Sequence, residues 1–505
     1  MTAELHPALV GLEPAELWRQ FDALRQIPRP SLHEEGVRTH LRELATKQEW
    51  PFEVDEAGNM VIRVPGRGAG RESPSLAIQG HMDMVCEKTE DSPHDFYRDP
   101  IGLRRNVREH EGRARDVLQA EHTTLGADNG IGVATALAIA LSPGLEHPPL
   151  ELLFTADEEQ GMTGAFGLDP KLLSARRLIN LDAESQGRIY LSCAGGRELH
   201  ASWHLDRDDR HDGDLGDLPV RIFVRGLEGG HSGVDIHLAR ANAIAVLVEL
   251  LTDKQLDLEG VRMASCDGGG RPNAIAPRAN TVLWCASSRV DALAANVERV
   301  AARLKEHYAS VDPGLEISFE RLDASEREGL PGPVSARTSR AILEALRHQK
   351  HGVLGWSTVI EGLVETSNNL GTIITEGDEM RLICMARSSK DGALEAFQER
   401  CERYLEASGA EVGFAHAFPG WEAKVDTELL AKAESSYREL FGHDIKREAI
   451  HAGLECGVLG SRIPGLEMIA FGPDIFDAHT PRESLAIDTV EPFWRFVVRL
   501  VESLV

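Results

Sequence analysis

Several things are missing from this chain, and each absence removes a class of function. No apolar run approaches the length of a membrane span. The opening segment "MTAELHPALVGLEPAELWRQ" has no basic stretch followed by an apolar one, so no secretory signal is expected. Basic residues are in deficit: 54 lysines and arginines stand against 81 aspartates and glutamates, a formal net charge of −27. A nucleic acid would want a basic footprint, and an anionic membrane surface would repel this chain, so neither partner is expected. The seven cysteines are scattered, odd in number and never spaced as CxxC. That predicts reduced, mostly buried thiols in a cytoplasmic protein.

What is present is ample. A length of 505 residues exceeds one compact core, and 42% hydrophobic content supplies material for more than one. "ELWRQFDALRQIPRPS" reads as an amphipathic helix stopped by proline, and "GVRTHLRELATKQEW" as a second helix. "FEVDEAGNMVIRVPG" and "SLAIQG" read as strands. "ADNGIGVATALAIALS" turns into a long apolar helix. "PPLELLFTAD" and "RRLINLDAE" each read as a buried strand with an acidic end. Strands alternating with helices imply an α/β layer structure, whose ligands bind beyond the carboxyl ends of the strands.

From about residue 190 the pattern changes. "TVLWCASSRVDALAANVERVAARLKEHYAS" resembles "MRLICMARSSKDGALEAFQERCERYLEASG", about a hundred residues later. Both read strand, Ser-Ser, acidic turn, helix, and each is followed by another strand. With "VRIFVRG", a helix near 239–252 and "GVRMASC" ahead of it, the first copy has the ferredoxin-like order of elements. A degenerate second copy is expected to follow, beginning with the helix "SRAILEALRHQK". The expected fold class is α/β: a mixed-sheet catalytic domain interrupted by an α+β insert made of a duplicated ferredoxin-like module. The boundaries predicted are 1–190 and 419–505 for the catalytic domain and 191–418 for the insert.

The chemistry collects where apolar segments end. In "AIQGHMDMVCE", His81 and Asp83 stand two apart on one strand face, either as a satisfied polar pair or as the start of a metal site. Glu158 and Glu159 follow "LELLFTA", too apolar a strand to end in bulk solvent. Asp182 follows "LIN" in the same way. Asp128 opens a helix, where an N-cap is the plain alternative. His479 lies far downstream in "FDAHTPRES". Two imidazoles and several carboxylates suit zinc, manganese or cobalt, and thiolate ligation is absent. The carboxylates are too many for one tetrahedral ion and enough for two that share one bridging carboxylate.

"GHMDMV", "LGADNGIG", "TADEEQGMTGA", "NLDAE", "GGHSG" and "DAHTPRE" resemble, in order and over nearly the whole chain, the co-catalytic metallopeptidases that include aminoacylases and carnosinases. The resemblance implies two divalent ions, zinc first, with manganese or cobalt as alternatives. His81 and Asp182 would bind one ion, Glu159 and His479 the other, and Asp128 would bridge them through a residue whose peptide bond to Asn129 is cis. Asp83 would orient His81, and Glu158 would act as general base. The inserted domain would act as a lid, with His231 in "EGGHSGVD" donating to the oxyanion. Asn273 in "RPNAIAP" would bind the substrate backbone and Arg387 in "MARSS" its carboxylate. Glu455 in "HAGLECG" would take the free amine. The substrates implied are dipeptides, Xaa-His or of broader choice, with a free N-terminus. An N-acyl amino acid amidohydrolase on the same fold and a catalytically dead binding protein are the alternatives. A homodimer, with His231 supplied in trans, stands open beside a single chain that supplies it in cis.

Overall fold

The computed structural model describes residues 4–207, 218–327 and 329–505. The chain divides into two compact units. One is made of Met1–Ser192, Ala423–Ala449 and Leu454–Val505, the other of Cys193–Glu422 and Ile450–Gly453. The brief return of residues 450–453 to the second unit has no counterpart in the sequence pattern.

The first unit is organised around an eight-stranded sheet. Its centre runs Leu150–Thr155, Leu76–His81, Arg177–Asn180, Glu467–Ala470, all parallel. The first two strands are buried at every position, which is why they read as largely apolar runs. Glu467–Ala470 comes from the far end of the chain, so the C-terminal segment completes the sheet begun at the N-terminus. The helix Ala15–Arg25 packs on the apolar helix Ala127–Leu141. Leu17, Trp18 and Phe21 are buried there, Leu17 and Phe21 contributing roughly 1.5–3 kcal/mol each. The final helix, Ile487–Ser503, buries Val490, Phe493, Val497 and Leu500 on one stripe.

A second, four-stranded sheet in this unit has the order Ile475–Phe476, Ser484–Ala486, Arg113–Ala120, Leu103–His110. The hairpin Leu103–His110 with Arg113–Ala120 was hidden in the sequence by its charge, because most of its outer positions face solvent. This sheet holds both ends of the loop that carries His479.

The second unit contains a nine-stranded sheet. One half runs Glu316–Arg321, Leu218–Arg225, Ala279–Cys285, Arg262–Gly269, the 4-1-3-2 strand order of a ferredoxin-like module. The other runs Val364–Glu376, Glu379–Ser388, Gly195–His204, Glu411–Phe418, the same order reversed. The halves meet edge to edge, Gly268 opposite Ile373 and Gly269 opposite Thr372. The expected helix of the second copy is present as Ala336–His348. Its first strand, however, is Gly195–His204, which precedes the whole first copy. The copies are therefore nested rather than consecutive: the first lies between the opening strand and the opening helix of the second.

Candidate metal centre

Three of the four parallel strands deliver polar groups at or just past their carboxyl ends. Leu76–His81 ends on His81 itself, and Arg177–Asn180 is followed two residues on by Asp182. Leu150–Thr155 is turned by Asp157, whose φ of +49° lies in the left-handed region. Glu158 and Glu159 are therefore not strand-end neighbours, as the sequence suggested. They open the four-residue helical turn Glu158–Gly161.

Asp128 lies inside the segment Ala127–Leu141 but has non-helical backbone angles (φ −79°, ψ 112°), and its peptide bond to Asn129 is cis. Its carboxylate is no helix cap. Oδ1 is 3.0 Å from His81 Nε2, and Oδ2 is 3.2 Å from His479 Nε2. His81 Nε2 is also 3.3 Å from Asp182 Oδ1, and His479 Nε2 is 3.0 Å from Glu159 Oε2. His81, Asp128 and Glu159 each offer a ligand atom within 4.8 Å of the others. One carboxylate thus spans two imidazoles, each with a further carboxylate of its own.

The surroundings fix these groups. Asp83, fully buried, accepts the backbone N–H of Glu158 (3.0 Å) on Oδ1, and on Oδ2 the N–H of Glu159 (3.2 Å) and the hydroxyl of Ser31 (2.7 Å). Its Oδ1 lies 3.4 Å from His81 Nδ1. One side chain therefore orients the imidazole and sets the start of the glutamate turn. Asn129 donates to the carbonyl of Leu181, tying the Asp128 peptide to the approach to Asp182. A Cβ on Gly80 would come within 2.3 Å of Asn129 Oδ1, so only glycine fits beside it.

The charges strain against burial. Burial alone would lower the pKa of His81, but the carboxylates of Asp182, Asp128 and Asp83 raise it well above the usual range. Hydrogen bonds to Asp128 and Glu159 hold His479 up to about 11. Asp128 is held far below the normal carboxylate range by the two imidazoles, against the effect of burial. Burial, with the charges of neighbouring acids, pushes Glu158 and Asp182 well up. Carboxylates thus crowd one another around the two imidazoles, and Glu159 Oε1 is buried without a hydrogen-bond partner. Oxygen and imidazole donors under such a field fit divalent cations.

Glu455 opens the helix Glu455–Arg462 and is fully buried. Its Oε2 accepts from Gln79 Nε2 (2.6 Å) and Thr155 Oγ1 (2.8 Å), while Oε1 has no hydrogen-bond partner. Burial pushes its carboxyl up to about 8.

His231, Asn273 and Arg387 belong to the second unit. His231 and Asn273 flank one short ribbon, in which His231 pairs with Ala274 and Ser232 N–H donates to the Asn273 carbonyl (2.8 Å). Asn369 holds that ribbon by donating to the carbonyls of Pro272 (2.9 Å) and Ala274 (2.8 Å). His231 Nδ1 accepts the N–H groups of Gly233 (3.2 Å) and Val234 (3.0 Å), which places the ring proton on Nε2. Burial and the charge of Arg387 lower its pKa. Arg387 is 5% exposed, and its Nε has no hydrogen-bond partner. A buried guanidinium with spare donors is built to receive an anion. Beside it lies His451, which the sequence reading passed over. Its Nε2 is 2.7 Å from Ser367 Oγ, and burial together with Arg387 holds its pKa down to about 3.

Sequence reasoning also missed Glu483, Arg29 and Ser31. Each acts on partners fifty or more positions away, so no local pattern marks them.

A parallel sheet that ends in an imidazole, joined by one carboxylate to a second imidazole from a neighbouring loop, has the make-up of a metal-dependent hydrolase. The chain belongs to peptidase family M20/M25/M40, whose model matches residues 77–503. It is 33% identical to the cytosol non-specific dipeptidase of Escherichia coli strain K12 over 98% of this chain and 99% of that one. The crystal structure of aminoacylhistidine dipeptidase from Vibrio alginolyticus superposes with a TM-score of 0.90 at 34% identity, covering 98% of each chain. A tripeptidase from Staphylococcus aureus shares the fold, with a TM-score of 0.55 at 15% identity over 98% of this chain and 99% of that one. The family expected from the motifs is the one found, and the mixed α/β class agrees with it. No helix among the described residues is long and apolar enough to cross a membrane.

Proposed function

We propose that the protein is a metal-dependent dipeptidase acting on short peptides with a free N-terminus. The observation that carries this reading is the Asp128 carboxylate, reaching His81 through one oxygen and His479 through the other (3.0 and 3.2 Å). His81 and Asp182 would hold one divalent ion, His479 and Glu159 a second, with Asp128 shared. Zinc matches the donor set, as do manganese and cobalt. Two such ions supply an activated water at neutral pH and polarise the scissile carbonyl.

The protein groups perform the rest. Glu158 takes a proton from the attacking water on its carboxylate and delivers it to the departing amine nitrogen. Asp83 fixes the tautomer of His81 so that Nε2 keeps its lone pair for the ion. His231, with its proton on Nε2, donates to the developing oxyanion from a lid formed by residues 191–418, supplied by the same chain or by the partner of a homodimer. Arg387 binds the C-terminal carboxylate, Asn273 the peptide backbone, and Glu455 Oε1 is the atom left for the free ammonium. Anchors at both ends of the substrate select dipeptides over longer chains. A cytoplasmic location goes with the seven cysteines, none of which forms a disulfide. It also goes with the likeness to a cytosolic relative.

A panel of dipeptides including carnosine and an Xaa-His series, a tripeptide and an N-acetyl amino acid tests the proposal, with and without chelator. Dipeptide cleavage that stops on chelation and returns with zinc, manganese or cobalt is expected. Activity that survives exhaustive chelation, or that is confined to the N-acyl substrate, defeats it.

A further inference from the structure

Four residues beyond His479, on the same loop, Glu483 turns inward and is only 2% exposed. Its carboxylate accepts four consecutive backbone N–H groups from the first turn that carries Asp128. Oε2 takes Leu125 (2.8 Å) and Gly126 (3.1 Å), and Oε1 takes Ala127 (2.8 Å) and Asp128 itself (3.4 Å). These donors would otherwise be unpaired at a buried helix start, and a carboxylate there also complements the helix dipole. Arg29 grips the same turn from its carbonyl side. Its guanidinium, 3% exposed, donates to the carbonyls of Met82 (3.1 Å) and Asp83 (2.6 Å), and to that of Gly126. The turn has no slack between them. Gly126 lies at φ +68°, and a Cβ there would come within 2.6 Å of the Arg29 guanidinium.

We propose that Glu483 is a positioning residue for the metal centre. It locks the backbone of Asp128 to the loop of His479, so that the carboxylate and the second imidazole keep their spacing as one piece. The proposal rests on the reading of Asp128 as the bridging ligand. An ordinary helix cap would stabilise the fold and nothing more. This carboxylate joins two candidate ligands separated by 351 positions in sequence, so its loss should be felt at the ions first. Glu483→Gln tests this, because an amide keeps one acceptor oxygen but turns an N–H₂ group against two of the four donors.

The measurements are zinc and manganese dissociation constants of the metal-free protein by chelator competition, kcat and KM on a dipeptide, and the thermal midpoint without metal. Glu483→Gln is expected to weaken metal binding roughly 10–100-fold, the range for groups that support a ligand. It should lower kcat with KM near the wild-type value. Glu483→Asp, which keeps the charge but reaches less far, should fall between the two. Thr427→Ala is the structural control: it removes the cap of the helix Glu428–Phe441. It should lower the thermal midpoint and leave metal affinity within about twofold of wild type. A Glu483→Gln protein that binds metal like wild type overturns the proposal. Failure of both Glu483 variants to fold overturns it too, since Glu483 would then belong to the fold alone. A wild-type protein that binds no metal or cleaves no dipeptide would instead defeat the proposed function, a separate outcome.

Discussion

Asp83→Asn perturbs the centre without removing a candidate ligand. The substitution conserves volume at a position with no exposure, so no cavity opens. The carboxylate serves four neighbours: Ser31 Oγ, the N–H groups of Glu158 and Glu159, and His81 Nδ1. An amide can serve them in two orientations. With its oxygen toward Glu158 and His81, the N–H₂ group confronts the Glu159 N–H, while the Ser31 hydroxyl rotates to accept. One buried backbone donor is then stranded, a loss of about 1–3 kcal/mol. In the flipped orientation the N–H₂ group points at His81 Nδ1 and favours a proton on Nε2, the nitrogen needed for the ion. Either way the charge that steadies the imidazole is gone, and metal affinity should fall roughly 10–100-fold. At about 1.4 kcal/mol per tenfold, the binding loss is comparable to the cost of one stranded donor. Chelator competition reads the affinity, and denaturant unfolding of the metal-free protein reads the stability. An Asp83→Asn protein that matches wild type in both would refute the reasoning. One that lost stability but kept full affinity would show that Asp83 sets the glutamate turn without governing His81.

Other outcomes follow from the same geometry. Glu158→Gln should lower kcat by about 10²–10⁴-fold while metal content after dialysis stays at the wild-type level; loss of metal would make Glu158 a ligand instead of the base. Arg387→Met should raise KM for dipeptides far more than it lowers kcat, and the effect should vanish on a C-terminally amidated dipeptide; equal losses on both substrates would remove Arg387 from carboxylate recognition. Glu455→Gln should cripple cleavage of dipeptides with a free amine while sparing an N-acetyl amino acid if that compound is turned over at all; unchanged dipeptide kinetics would release Glu455 from the amine. Gly80→Ala should disrupt metal binding, because the new methyl overlaps Asn129 beside Asp128; full metal affinity in that variant would mean the Asp128 segment is less constrained than its packing indicates.

The candidate ligands were legible because each stands at a break in an apolar run. His81 ends a strand buried at every position, and Asp182 follows one buried at all but its first residue. Asp128 was harder, since an acid at a helix start usually caps it, and only the family resemblance set it apart. The geometry of Glu158 and Glu159 was not legible. Asp157 adopts a left-handed backbone without glycine, which no propensity announces, and converts an expected strand end into a helical turn. Glu483 and Arg29 escaped for a different reason. A glutamate between arginine and serine reads as solvated charge, and the four N–H groups that bury it lie more than 350 residues earlier. In the second unit the repeated strand–helix units were visible. The nesting was not, because pairing partners of Gly195–His204 leave no mark on its own residues.

That nesting has a consequence for how the chain is made. Gly195–His204 hydrogen-bonds to Glu379–Ser388 on one side and Glu411–Phe418 on the other. During synthesis it leaves the ribosome long before either neighbour exists, as a strand with two bare edges. The elements Leu218–Arg225 to Glu316–Arg321, by contrast, contain every strand of their own module and can close as soon as they emerge. Once Glu316–Arg321 has left the exit tunnel, the nascent chain should therefore carry one finished module and one orphan strand. Truncations that spare the first module while cutting before residue 379 should be prone to aggregation through that strand.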